Sequence, residues 1–283
     1  MNLESMAAYG LTPANFTILG LVALVHFAVV LILWIVGRGH KNDSILDIYW
    51  GFSFVVAVWM AYSLAADVSG RGKLVVALVT VWGARLGYHL FSRWARIHGL
   101  GGDLRYQDIK TKLSASGGYA IKALLAVYVP MWLAYVISQL NIVLVISTPE
   151  QPMLGTSDYV FAAIMVAAII LETTADLQLD AFKANPANHG KVLDSGVWAW
   201  SRHPNYFANF CCYWAVFAIS LPLANLFWTI ISPLFMSWLL IGFTGKKWLD
   251  DHMKKRRPEY AAYVERTSGF VPMPPKRRNT GPS

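Results

Sequence analysis

Residues 172–209 read ETTADLQLDAFKANPANHGKVLDSGVWAWSRHPNYFAN, and this stretch holds the residue types from which a site could be built. Glu172, Asp176 and Asp180 recur every four residues, so a helix sets them on one face. Lys183 follows near that face. Pro186 and Gly190 then break the helix, and Asp194-Ser195-Gly196 supplies a turn. Pro204 suits the first turn of a new helix, with Ser201 or His203 as its cap. A helix start offers free N–H groups and a positive dipole end, which attract anions. Lys183, Lys191, Arg202 and His203 cluster around it, and Asn205 and Tyr206 add neutral donors and acceptors. Carboxylates can accept from ribose hydroxyls or an amide, the cations can hold phosphates, and the aromatics can stack on a base. A nicotinamide dinucleotide phosphate meets each of these demands. A re-entrant loop with positive anchors would use the same residues and bind nothing, and this alternative stays open here.

Two further polar faces stand inside apolar stretches, where charge is expensive. In VWGARLGYHLFSRW, Trp82, Arg85, His89 and Arg93 recur at helical steps, flanked by Tyr88 and Ser92. Arg93 and Arg96 would also serve as snorkelling anchors. In SILDIYWGF, Asp47, Tyr49 and Trp50 open an apolar run, with Trp50 suited to the interfacial aromatic belt. All three faces fall near the same ends of their segments. They therefore point to one water-accessible cavity opening on that side of a membrane.

The elements that must position these groups are set by composition. The 283 residues are 56% apolar and 14% charged, whereas a soluble domain carries about 25% charged residues. Seven stretches near the length a bilayer asks of a helix run at 15–36, 45–66, 72–95, 119–146, 157–181, 204–221 and 223–246. The expected fold is all-α, a polytopic bundle of seven transmembrane helices in a single domain, 1–283, with a flexible basic tail at 273–283. The first stretch is a retained span, because it lacks a basic lead and a cleavage site. The segments 37–44, 96–118, 182–203 and 247–283 share one side and hold most of the Lys and Arg. The opposite loops hold only Arg71 and Lys73. The positive-inside rule then puts the N-terminus outside and the C-terminus in the cytoplasm. The formal charge of +8 is explained by topology and anionic lipid, with no nucleic-acid partner. Cys211 and Cys212 are adjacent within a span and read as core filling. No metal site is expected, since CxxC, HExxH, Walker and GxGxxG patterns are all missing.

The set ADLQLDAFK, NHGKVLDSGVWAWSRHPNY and RRPEYAAYVERTSGFVP resembles the C-terminal signature of the steroid 5α-reductase family, in its bacterial DUF1295-type branch. DIYWGF, VWGARLGYHLFSRW and DLRYQ match more weakly, and the resemblance covers roughly 45–272, after a first span and loop at 1–44. It implies a seven-helix bundle with NADPH in the cytoplasmic half, in a bacterial inner membrane. It also implies cofactor contacts from Asp176, Lys183, Lys191, Asn205 and Tyr206. Arg93 and Arg105 would complete the phosphate site, Glu172 would face the cofactor, and Lys246 and Lys247 would close over it. Asn209 stands where the family commonly has an acid. The family's acid and tyrosine against the substrate carbonyl correspond approximately to Asp47 and Tyr88.

The activity so implied is NADPH-dependent reduction of a carbon–carbon double bond conjugated to a ketone, in a steroid or similar enone lipid. Hydride reaches the β-carbon, Tyr88 or His89 serves the enolate oxygen, and Asp47 orients that donor. Two other readings share the residues: a membrane methyltransferase using S-adenosylmethionine, and a non-catalytic lipid-binding or transport protein. The physiological substrate, the stereochemistry and the oligomeric state are not written in the sequence.

Overall fold

The structure is a computed structural model that describes residues 9–40, 42–98, 103–114, 117–149, 151–243, 250, 253 and 259–276. Among the described residues every regular element is helical, and there is one isolated bridge, Ser201 to Ser268. In chain order α1 is Pro13–His40, α2 Ile45–Leu64, α3 Gly70–His98 and α4 Leu104–Ser114. They are followed by α5 at Tyr119–Ser147, α6 at Thr156–Ala184 and α7 at Pro204–Ser220. A 3₁₀ segment, Ala224–Ile230, leads into α8 at Ile231–Trp238, which continues as a π segment, Leu239–Phe243. Last is α9, Tyr260–Arg266. Six stretches are long and apolar enough to cross a membrane: α1, α2, α5, α6, Gly70–Arg96 and Ala224–Gly242. The chain is an integral membrane protein. The helix α7 has 17 residues and is shorter than these six.

The sequence dictates these elements directly. No Asp, Glu, Lys or Arg occurs in α1 before Arg38. Its Ile18, Val22, His26 and Val30 are buried at four-residue steps, while Leu24, Ile32 and Ile35 are exposed. An exposed apolar face of this length suits lipid, not water. In α5 the turn Leu124–Tyr128 is π-helical, just before Pro130. A proline lacks the N–H and crowds the carbonyl four residues back, so the wider turn relieves it. The polar helices α4 and α9 carry no hydropathy signal and were not expected.

The packing forms two compact units, Met1–Asp158 with Ile219–Ser232, and Tyr159–Ala218 with Pro233–Ser283. In the first unit α2 and α3 meet backbone to backbone. A Cβ added at Gly51 would lie 2.1 Å from the Gly87 nitrogen, and one at Gly83 would lie 2.9 Å from the Gly51 carbonyl. Small residues permit such approach between membrane helices. Gly51→Ala is expected to cost about 1–3 kcal/mol by overpacking, seen as a lowered melting temperature in detergent. Wild-type melting would contradict this seam.

Polar clasps tie the same unit together. His26 is fully buried, with Nδ1 2.8 Å from the Tyr49 hydroxyl and Nε2 2.8 Å from Gln139 Oε1. Gln139 Nε2 donates to Ser53 Oγ at 2.8 Å, so α1, α2 and α5 share one network. Because Gln139 Oε1 can only accept, His26 donates from Nε2. Near the start of α3, Arg71 Nε and Nη2 each donate at 2.9 Å to the two carboxylate oxygens of Asp158. Its Nη1 donates to the Pro152 carbonyl at 3.0 Å, and both side chains are 1% exposed.

Candidate functional site

The second unit contains a ladder of two acids and two amides. Glu172 and Asp176 are one turn apart on α6 and both buried. Asn205 and Asn209 are one turn apart on α7. Asn205 Nδ2 donates to Asp176 Oδ1 at 3.1 Å, and Asn209 Nδ2 donates to Glu172 Oε1 at 3.1 Å. Ala208, on the same helix as the two amides, is fully buried. The amide at 209 therefore faces an acid on the opposite helix.

The turn that delivers α7 is stapled to α6. Trp198 Nε1 donates to the Ala175 carbonyl at 3.0 Å, and the Val197 N–H donates to Gln178 Oε1 at 3.0 Å. Gly196 has φ +59°, so the backbone demands glycine, and a Cβ there would meet Gln178 Oε1 at 2.4 Å and displace that side chain. Pro204 is the first residue of α7, and the His203 carbonyl accepts from the Phe207 N–H at 3.0 Å. Ser201 Oγ accepts from the His203 N–H at 3.1 Å. Tyr206 stacks on the His203 ring with centroids 5.7 Å apart.

The cations divide differently from the expectation that Lys183, Lys191, Arg202 and His203 surround one phosphate. Lys183 and Lys191 are exposed. Arg202 and His203 instead hold Asp250, at 2.8 Å from Arg202 Nη2 and 3.1 Å from His203 Nε2. Arg202 Nη1 also donates to the carbonyls of Thr267 at 2.9 Å and Val264 at 3.2 Å. Tyr260 donates to the same carboxylate. The reason is electrostatic. Asp250 is 6% exposed, and a buried carboxylate needs charged or polar partners close by. The surrounding contacts make the C-terminal segment a strap. Ser201 Oγ donates to the Phe270 carbonyl at 2.7 Å, Tyr263 to the Trp198 carbonyl at 2.6 Å, and the Met273 N–H to the Trp200 carbonyl at 3.0 Å. Phe270 sits edge-on to Phe207 and Phe210.

Burial alone would raise the Asp250 carboxyl, but hydrogen bonds from His203, Arg202 and Tyr260 outweigh it and hold it well below the usual carboxylate range. A depressed folded value stabilises above the ordinary carboxyl range, about 4, and the stability is lost only as pH falls through the depressed value. Burial and the Asp250 bond push the Tyr260 phenol up, so its contribution is present below about pH 10 and lost above it. The strap is therefore expected to stay docked from mildly acid to neutral pH. Arg202→Ala is expected to release it, read as protease cleavage within 259–276 with the helical bundle intact. Unchanged protection in that variant would remove Arg202 from this role.

The first unit holds the remaining candidates. Asp47 accepts from the Tyr106 hydroxyl at 2.6 Å. Arg93 pairs with the buried Asp103, whose carbonyl accepts from the N–H groups of Tyr106 and Gln107 at the start of α4. Ser44, Asp47, Leu90, Arg93, Trp94 and Asp103 line a small crevice of about 10 Å³, room for about one water. His89 is half-buried, whereas Tyr88 is 69% exposed. Trp82 and Leu86 are buried on α3, and Tyr88 lies off that stripe. The Arg105 side chain, Lys246 and Lys247 lie outside the described residues. A larger cleft of about 640 Å³, lined by Val192, Asp194, Glu259, Ala262, Tyr263 and Arg266, contains none of the expected site residues. No group of metal ligands occurs among the described residues.

A family model described as "Protein of unknown function (DUF1295)" matches residues 33–267. The chain belongs to DUF1295. No curated protein and no solved structure is detectably similar to it. The matched range of this DUF1295 chain takes in the acid–amide ladder, the Asp47–Tyr106 pair and Asp250. Sequence reasoning missed Asp250, Asp103 and Tyr106. The signal for Tyr106 was the DLRYQ string, which marked the region but gave no partner. Asp250 gave none, because an acid in a polar tail reads as solvated surface.

Proposed function

We propose that this DUF1295 protein is a seven-span membrane reductase that uses NADPH to saturate the double bond of an enone lipid. In this reading α7 is the seventh crossing, and the basic loops and the C-terminus face the cytoplasm, in a bacterial inner membrane. The resemblance to steroid 5α-reductases supplies the reaction. The observation that carries it here is the ladder of Glu172, Asp176, Asn205 and Asn209 between α6 and α7, buried at all but the half-buried Asn205.

The donor set fits the cofactor. A carboxylate accepts up to about four hydrogen bonds, so an amide partner still leaves Glu172 and Asp176 suited to ribose hydroxyls or a carboxamide. Asn205 and Asn209 keep the two acids aimed along one line. Lys183 and Lys191, exposed at the adjoining turn, suit phosphates. The aromatic ring of Tyr206 suits a base or the nicotinamide face. When bound, NADPH supplies a hydride to the β-carbon and leaves as NADP⁺. The chain itself orients the reactants, excludes water with its apolar helices and holds the proton for the enolate oxygen.

A methyltransferase using S-adenosylmethionine is the second reading. The commitment of Arg202 to Asp250 favours it, because one cation is withdrawn from the phosphate side. The deciding experiment offers detergent-purified protein a 3-oxo-Δ4 steroid with NADPH, and a prenylated cysteine acceptor with S-adenosylmethionine. The reductase reading expects dihydrosteroid and NADP⁺ in equal amounts. Methylated acceptor alone would establish the second reading instead.

A further inference from the structure

We propose that α4 lies in the headgroup layer of the membrane and, with the end of α3, forms a docking surface for an anionic phospholipid. The grounds are where α4 is held and what it turns outward. It stands between two membrane-crossing helices, α3 and α5. The Tyr106 hydroxyl donates to Asp47 Oδ1 at 2.6 Å, and Asp47 is the third residue of the crossing helix α2. Asp103, just before α4, pairs with Arg93 of α3, and its carbonyl accepts from the Tyr106 N–H at 3.1 Å and the Gln107 N–H at 3.2 Å. The helix also packs against the start of α5. Three crossing helices therefore hold α4 at the level where their apolar stretches end.

Its faces divide as those of an interfacial helix do. Tyr106 is buried, Ile109 and Leu113 are half-buried, and the three recur at helical steps on one side. Lys110 and Lys112 are exposed, as is Arg96 in the last turn of α3. Asp108 is the only acid in α4. The other acids at this end are turned inward. Asp43 and Asp103 are buried, and Asp43 pairs with Arg38 and accepts from the hydroxyls of Tyr119 and Tyr128. Acids satisfied inside and cations displayed outside give the surface a positive sign. Each Lys or Arg held at an anionic membrane surface strengthens binding by about 5-fold.

The neighbouring crossings fit the other half of the ligand. Phe91 of α3 is exposed, and so are Ile121 and Leu125 in the first two turns of α5. Apolar side chains open along two crossings suit acyl chains, and the cations of the segment that joins them suit a phosphate. An anionic phospholipid has both parts, whereas a free phosphate has only the second. The surface lies wholly within the first unit and makes no use of the acid–amide ladder. It therefore stands or falls apart from the reaction proposed above.

The test uses the full-length protein in detergent and native mass spectrometry. Phosphatidylglycerol and phosphatidylcholine with the same acyl chains are offered in parallel, and bound lipid is read at each concentration. Wild type is expected to bind the first phosphatidylglycerol about 10- to 30-fold more tightly than the first phosphatidylcholine. Lys110→Gln with Lys112→Gln removes two charges, leaves the buried face untouched and is expected to lose most of that preference. Lys112→Gln alone is expected to lose part of it, and serves if the double variant does not fold. Lys183→Gln with Lys191→Gln removes the same charge from the second unit and is expected to keep the preference. Excess glycerol 3-phosphate, which carries the charge but no chains, is expected to leave the lipid in place. An undiminished preference in the α4 variants, an equal loss in the second-unit pair, or displacement by glycerol 3-phosphate would each overturn the inference.

Discussion

Asp176→Ala is expected to weaken NADPH binding by about 10- to 100-fold, the value of losing about 1.5–3 kcal/mol of hydrogen bonding to a charged group. Asp176 is buried and accepts from Asn205, so the substitution removes an acceptor and strands an amide donor between α6 and α7. Asp176→Asn separates the two effects, since it keeps an acceptor for Asn205 but removes the charge. Its affinity is expected between those of alanine and wild type. Fluorescence titration with NADPH reads both variants. Wild-type affinity in Asp176→Ala would take this carboxylate out of the site.

The largest effect on stability is expected at the buried pair of Arg71 and Asp158. Arg71→Ala leaves a carboxylate that is 1% exposed without its bidentate partner. Breaking a buried pair from one side costs about 3–5 kcal/mol. The Pro152 carbonyl loses its donor as well. Thermal unfolding in detergent is expected to shift strongly downward for Arg71→Ala. The double variant Arg71→Met with Asp158→Leu is expected to recover much of the loss, because the desolvation of both ions disappears with them. Equal destabilisation by the single and double variants would show that the pair's charge is not what costs.

The framework was legible because a bilayer asks for length and apolarity, and both are local properties of sequence. Within the described residues the seven expected segments fall on helical stretches, six of them long and apolar enough to cross, and the turn at Pro222 separates α7 from the 3₁₀ segment. The spacing of Glu172 and Asp176 placed them on one face, and Pro204 was read as a helix start for the reason the structure displays. What failed was pairing at a distance. Tyr106 and Asp47 are separated by 59 residues and Arg202 and Asp250 by 48. Periodicity reports which residues share a face, not what that face meets. Arg202, read as a cation for phosphate, has a buried acid as a partner that no local pattern announces. Tyr88, which the resemblance matches approximately to the family's tyrosine, is 69% exposed beside the stripe, while Gly83 and Gly87 on the same helix pack against α2.

The account depends most on the acid–amide ladder of α6 and α7 receiving a nicotinamide dinucleotide phosphate. Parallel titration of the detergent-purified protein with NADPH, NADH and S-adenosylmethionine, followed by tryptophan fluorescence, tests that directly. Saturable binding of NADPH, tighter than that of NADH and diminished in Asp176→Ala, is the predicted result. Saturation by S-adenosylmethionine with no response to NADPH would contradict it.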